Sequence, residues 1–158
     1  LIPRAGPSTL RSVTKPAVAP PPGAKTSTVA YRVPFYDTDA MRIVHHANYV
    51  RYFELARVEL LSLHDMPYTE YIAQGLHFVV TSLEVEFHRA ARFGDRLEIT
   101  CWLEWVKGVS LRIRYRIECE GETAVTGSTT HALVSADGKP VRIPEERRKR
   151  LASLVAPS

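Results

Sequence analysis

Phe35-Tyr36-Asp37-Thr38-Asp39-Ala40-Met41-Arg42-Ile43-Val44-His45-His46-Ala47-Asn48-Tyr49 joins a strand-like pattern to a long helical one. The stretch holds two carboxylates, two histidines, one Asn and two tyrosines. Titratable groups at such a junction sit on a loop held by two rigid elements, where reacting groups can be placed with little freedom. Upstream, Val29, Tyr31, Val33 and Phe35 alternate with smaller or polar residues over Thr28 to Asp37, the period of a half-buried strand. Pro34 has no N–H for a ladder, which places this strand at a sheet edge or frays it there. Asp39 to Ala47 form the loop. Downstream, Asn48 is a favoured helix cap. Tyr49, Phe53, Ala56, Leu60 and Leu63 then make one apolar stripe on a helix running to about His64. Leu55 and Leu61 widen the stripe, so a sheet should wrap this helix. Arg51, Glu54 and Arg57 lie on another face, with Glu54 and Arg57 spaced for an i,i+3 pair.

Pro67 ends the helix, and Tyr68–Gln74 reads as a short helical turn closed by Gly75. Four strands follow, over Leu76–Arg89, Arg96–Val106, Ser110–Glu120 and Thr123–Val134, with breakers at Phe93-Gly94-Asp95, Lys107-Gly108 and Glu120-Gly121-Glu122. Leu83, Val85 and Phe87 alternate with Glu84, Glu86 and His88. Leu111, Ile113, Tyr115 and Ile117 alternate with Arg112, Arg114, Arg116 and Glu118. Such strands are antiparallel with one apolar and one wet face, and the arginine stripe is a solvent face paired with Glu residues. Pro144 to Leu154 forms a terminal helix, acids first and Arg147–Arg150 last, as the helix dipole prefers. The order argues α+β: one long central helix on a five-stranded antiparallel sheet.

Residues 1–27 contain six of the eleven prolines and no apolar periodicity, the composition of a disordered extension. The expected organisation is that extension followed by one domain over 28–158. Four of the 21 basic residues lie in the extension and no acid precedes Asp37, so the remaining 17 equal the 17 acids. A neutral body argues against a nucleic-acid partner. Cys101 and Cys119 have no CxxC spacing and read as reduced, part-buried thiols. No run approaches the roughly 18 apolar residues of a transmembrane segment, and no secretory core opens the chain. A cytoplasmic location follows by default, with organellar import through residues 1–27 as the less favoured alternative.

Tyr36-Asp37-Thr38-Asp39-Ala40, His46-Ala47-Asn48-Tyr49 and Tyr52-Phe53-Glu54, followed by Val85-Glu86-Phe87-His88-Arg89 and Arg92-Phe93-Gly94-Asp95, resemble the hotdog-fold thioesterases. The nearest branch is the 4-hydroxybenzoyl-CoA thioesterase family, especially its Tol-Pal-associated acyl-CoA thioesterases. The resemblance covers about residues 28–140. It implies a sheet wrapped around one helix, homodimers or homotetramers with sites at subunit interfaces, and acyl-CoA hydrolysis with no cofactor and no metal. It places the catalytic carboxylate at Asp39 and a catalytic histidine at His46, where the hydroxybenzoyl enzyme has an aromatic residue whose N–H polarises the thioester. The family's loop has Gly where this chain has Arg42.

Those residue types suit the chemistry. Thioester hydrolysis needs an activated water or a nucleophile and a donor for the oxyanion. Asp39 can be base or nucleophile. The first N–H groups of the following helix can polarise the carbonyl. Asp37 reads as a turn former and His45 as a structural, hydrogen-bonded residue. Asn48, Tyr49 and Glu54 are candidate substrate contacts, and Arg89 and Arg92 a candidate basic rim for CoA phosphates. An acyl-carrier-protein or aromatic-CoA thioesterase, and a non-catalytic acyl-CoA-binding protein, are the alternatives.

Overall fold

The computed structural model describes residues 18–157. Its elements are β1 (Thr26–Arg32), α1 (Asn48–His64), α2 (Tyr68–Ala73), β2 (Leu76–Phe87), β3 (Arg96–Val106), β4 (Ser110–Cys119), β5 (Glu122–Ser135) and α3 (Glu145–Ala152), with a 3-10 turn over Phe35–Asp37. All five strands join one antiparallel sheet in the order β1-β3-β4-β5-β2. The expected α+β architecture and strand count hold. None of the described helices is long and apolar enough to cross a membrane.

β1 is an edge strand, and it stops before Pro34, where the ladder would need an N–H. It also starts two residues earlier than the alternation places it. Phe35 is not part of it: the residue sits in the 3-10 turn, 74% exposed, against Phe93. The expected extension over residues 1–27 lies outside the described residues up to residue 17. Nearer β1, the Lys25 N–H donates to the Leu154 carbonyl (3.0 Å) and Ser27 is buried.

α1 lies on the sheet through Phe53, whose ring stacks on Tyr115 of β4 at 4.3 Å, and through Ala56, whose carbonyl accepts from the Cys101 thiol of β3. Its buried residues are Tyr49, Tyr52, Phe53, Ala56, Arg57, Leu60 and Leu61. Leu63 and Leu55, assigned to the stripe from the sequence, are exposed instead. A 4-3-4-3 pattern repeats every 3.5 residues, whereas a straight helix turns every 3.6, so a stripe read that way drifts off the buried face. The same drift brings Arg57 onto that face, 6% exposed, with its guanidinium over the Tyr68 ring and 3.7 Å from Glu54.

The sheet's two faces differ as alternation requires. On β4, Leu111, Ile113, Tyr115, Ile117 and Cys119 face the core. Arg112 pairs with Glu84 and Glu104, Arg114 with Glu104, and Arg116 with Glu118 on the other face. β2 breaks the rule. It is the other edge strand, and its Leu83 and Phe87 are exposed although they were expected on an apolar inner face. Cys101 and Cys119 are free and buried. α3, with buried Leu154 just past its end, closes the end of the sheet through Leu151. Its Arg147 lies over Tyr71 at 4.6 Å, and its Arg150 reaches Asp65 at 3.3 Å.

Candidate active site

Residues 38–44 fold back on themselves. Thr38 bridges to Val44, the Asp39 N–H donates to the Ile43 carbonyl (2.9 Å), and the Arg42 N–H donates to the Asp39 carbonyl (2.9 Å). This small hairpin needs a left-handed residue at Arg42, which takes φ 63°. A side chain there costs on the order of 1 kcal/mol, and glycine would be cheaper. Arg42 therefore occupies the position at which the family resemblance expects Gly.

Asp37 anchors this hairpin from below. Its carboxylate is fully buried and accepts from the hydroxyls of Tyr31 (2.9 Å) and Tyr52 (2.7 Å), with Arg51 3.4 Å away. Its carbonyl accepts from the His45 N–H (2.9 Å) and from Asn48 Nδ2 (2.8 Å). Burial, followed by the bond to Asp37, pushes the Tyr31 hydroxyl up to about 12 and raises that of Tyr52, so both remain donors. The role is larger than the turn former read from the sequence: Asp37 fastens β1, α1 and the loop to one another.

Asn48 does not cap α1. Ala47 holds the cap position with no side-chain bond, and Asn48 is the first helical residue, tied back to Asp37 and to Arg51 (3.2 Å). The cap was misplaced because Asn has a better use here as a strut to the Asp37 carbonyl. Among the N–H groups at this end, Ala47 donates to His45 Nδ1 (3.2 Å), Asn48 to the His45 carbonyl (2.9 Å) and Val50 to the Ala47 carbonyl (3.3 Å). Among the described residues no carbonyl accepts from the Tyr49 N–H.

A cavity of about 340 Å³ opens at this point, and Asp39, His46, Tyr49 and Arg89 all line it. Asp39 is half-buried, and its Oδ1 accepts from the Met41 N–H (2.8 Å). Among the described residues no donor reaches its other oxygen. The His46 ring stacks on His45, centroids 4.1 Å apart. Tyr49 is buried between Tyr52 and Phe87, and its hydroxyl accepts from the Ala91 N–H (3.4 Å). Desolvation raises that hydroxyl above its ordinary pKa, so it stays neutral. The wall opposite the hairpin is the end of β2 and the residues after it, including Phe87, His88 and Ala90.

Three candidate residues are not part of this cavity. Asn48 is the strut just described. Glu54 lines a separate groove between β1 and α1 and pairs with Arg57. Arg92 lies on the turn before β3, where its N–H donates to Asp95 Oδ2 (2.8 Å). Arg89 is at the cavity but already engaged, 3.0 Å from Glu120 and 2.7 Å from Glu122. His88 and Met41 were given no role from the sequence. The alternation of β2 did put His88 beside Phe87 at the strand end, and its Nε2 is 2.9 Å from the Thr126 hydroxyl.

The thioesterase-like superfamily pattern matches residues 33–151, which spans the hairpin, the cavity and the whole sheet. The chain belongs to that superfamily. Its fold is accordingly of the hotdog type. It is 36% identical over 115 residues to a putative esterase of Aquifex aeolicus, a match covering 73% of this chain and 89% of that protein. It is 40% identical over 86 residues to the acyl-CoA thioester hydrolase YbgC of Escherichia coli O6:H1, covering 54% of this chain and 64% of YbgC. Its structure is similar to the DHNA-CoA thioesterase of Staphylococcus aureus, with TM-score 0.72 and 29% identity over 74% of this chain and 80% of the other.

Proposed function

We propose that this chain hydrolyses acyl-CoA thioesters to the free acid and CoA, with Asp39 as the reacting carboxylate. The observation that carries the reading is the state of Asp39. One oxygen is fixed by the Met41 N–H and the other is unengaged among the described residues, in a cavity beside the start of α1. As general base, that oxygen takes a proton from water while the water oxygen attacks the thioester carbon. As nucleophile, it attacks the carbon itself and forms a mixed anhydride, which water then opens. In both routes the carbonyl oxygen gains charge, the C–S bond breaks, and the CoA thiolate leaves and is protonated. The Tyr49 N–H, at the positive end of α1, is the donor for the developing oxyanion. His46 orients the attacking water or donates to the carbonyl. The similarity to YbgC supports a CoA ester as substrate. The similarity to the S. aureus enzyme favours an aromatic acyl group as the second reading.

In this reading the sheet wraps α1 as its central helix and the working unit is a homodimer. β2 has a free edge, carries exposed Val80, Leu83 and Phe87, and leads directly into the cavity wall. Pairing β2 with a second copy covers those residues and closes the cavity's open side. The test is turnover of aliphatic and aromatic acyl-CoA esters followed with a thiol reagent. Wild-type protein should release CoA, and Asp39→Ala should lower kcat by about a hundredfold or more. Unchanged turnover in Asp39→Ala removes the assignment.

A further inference from the structure

Arg42 combines three features that packing alone does not explain. It holds a left-handed backbone at φ 63° in the tightest part of the hairpin, where glycine would sit without strain. It is exposed, and among the described residues no ion pair or side-chain hydrogen bond reaches its guanidinium. Its chain neighbours Met41 and Ile43 both line the Asp39 cavity, which puts Arg42 in the hairpin that walls it. The other left-handed residue with a side chain, Glu120, is different, because its carboxylate is engaged by Arg89.

The charges around the cavity sharpen the point. Arg89 is neutralised by Glu120 and Glu122, and Asp39 is tied to the Met41 N–H. A strained, exposed cation with no acid of its own, in the hairpin beside a cavity whose lining arginine, Arg89, is already paired, has the chemistry to take an anion from outside. A guanidinium grips a phosphate through two parallel N–H bonds.

We infer that Arg42 binds a phosphate of the CoA handle at the mouth of the Asp39 cavity and so makes the site selective for CoA esters over phosphate-free thioesters. The inference rests on the acyl-CoA reading above and names the residue that recognises the non-reacting part of that substrate. Arg42 acts in binding and not in the bond-breaking step, so its loss should appear in KM and leave kcat nearly unchanged.

The experiment compares wild type, Arg42→Gly, Arg42→Asn and Arg42→Lys. Gly and Asn both tolerate the left-handed backbone, so either variant keeps the hairpin, and melting temperatures equal to or above wild type show it. Titration calorimetry then uses free CoA, with pantetheine as the phosphate-free probe. CoA should bind Arg42→Gly and Arg42→Asn about tenfold more weakly than wild type, the size of one lost charge-assisted contact. Arg42→Lys should recover part of the loss, and pantetheine should not distinguish the four proteins. With an acyl-CoA and the matching N-acetylcysteamine thioester, only the acyl-CoA KM should rise. Equal CoA affinity in wild type and Arg42→Gly, including no binding by either, overturns the inference, as does an equal loss for pantetheine. Wild type that binds CoA through Arg42 but cleaves no acyl-CoA overturns the hydrolase reading and leaves this one standing.

Discussion

His131, on β5, is almost fully buried, with its Nε2 2.7 Å from the Thr129 hydroxyl, which in turn meets the Tyr115 hydroxyl at 2.7 Å. Its Nδ1 has no partner among the described residues. The groups facing it are the Phe78 carbonyl and the buried Arg57 guanidinium. Desolvation first, then repulsion from Arg57, pushes the imidazole down to about 4. A neutral His131 is thus required by the fold, while in the unfolded chain it titrates near its ordinary 6.5. Above 6.5 both states are neutral and the ring imposes no pH dependence. As pH falls from 6.5 toward 4 the unfolded state takes up a proton that the folded state refuses, so stability declines, by about 3 kcal/mol in all. Urea unfolding from pH 7.5 to 4 should show that decline, and His131→Gln should flatten it. An unchanged slope in the variant would assign the acid sensitivity to carboxylates instead. Nothing in the sequence marked His131, since alternation tells which face a strand residue is on but not what the opposite wall contributes. Asp37 is similar. Its place before a loop was legible, yet the two tyrosine hydroxyls that converge on it come from β1 and α1 and meet only after folding.

At the scale of elements, the sequence was most informative where a pattern ran long. β3 has the bounds that its alternation predicted, and β2, β4 and β5 differ from expectation by one or two residues at their ends. The errors gathered where a local rule met a neighbour. Pro34 cut β1 short, Asn48 was drawn off the cap by Asp37, and the α1 stripe rotated to bury Arg57 in place of Leu63. Gly127 shows how a single residue seats α1 on the sheet. It lies in β5 opposite Val85 of β2 and Tyr115 of β4. A Cβ there would stand 2.5 Å from the Glu84 carbonyl oxygen and 2.7 Å from two carbons of the Phe53 ring. The carbonyl belongs to the ladder and cannot move, and the ring is stacked on Tyr115. Gly127→Ala should therefore cost about 2 kcal/mol through overpacking, read as a lower melting temperature. A variant as stable as wild type would mean that Phe53 has room to slide, and that α1 is less firmly seated than its contacts imply.

At the scale of the whole molecule, the candidate site was legible as a cluster in sequence because its hairpin is local. Asp39, His46 and Tyr49 are within eleven residues of one another and line one cavity. Its opposite wall was not legible, because it comes from the end of β2, brought there by the sheet. That wall also sets the last prediction. An edge strand with exposed apolar side chains is a surface that pairs with another strand; Leu83 lies near the middle of β2, and the acid beside it, Glu84, is held by Arg112. Two copies joined antiparallel about a two-fold axis would bring their Leu83 residues close together, so Leu83→Lys sets like charges near each other across the junction. Leu83 is exposed in one chain, so the subunit's own core is untouched and its secondary structure by circular dichroism should be unchanged. Light scattering should then report a dimer for wild type and a monomer for Leu83→Lys. Turnover should fall at least tenfold, because the open side of the Asp39 cavity loses its cover. A monomeric variant with full turnover would place the complete site within one chain. A variant that stays dimeric would move the interface away from β2, toward the groove between β1 and α1 where Glu54 and exposed Leu55 lie.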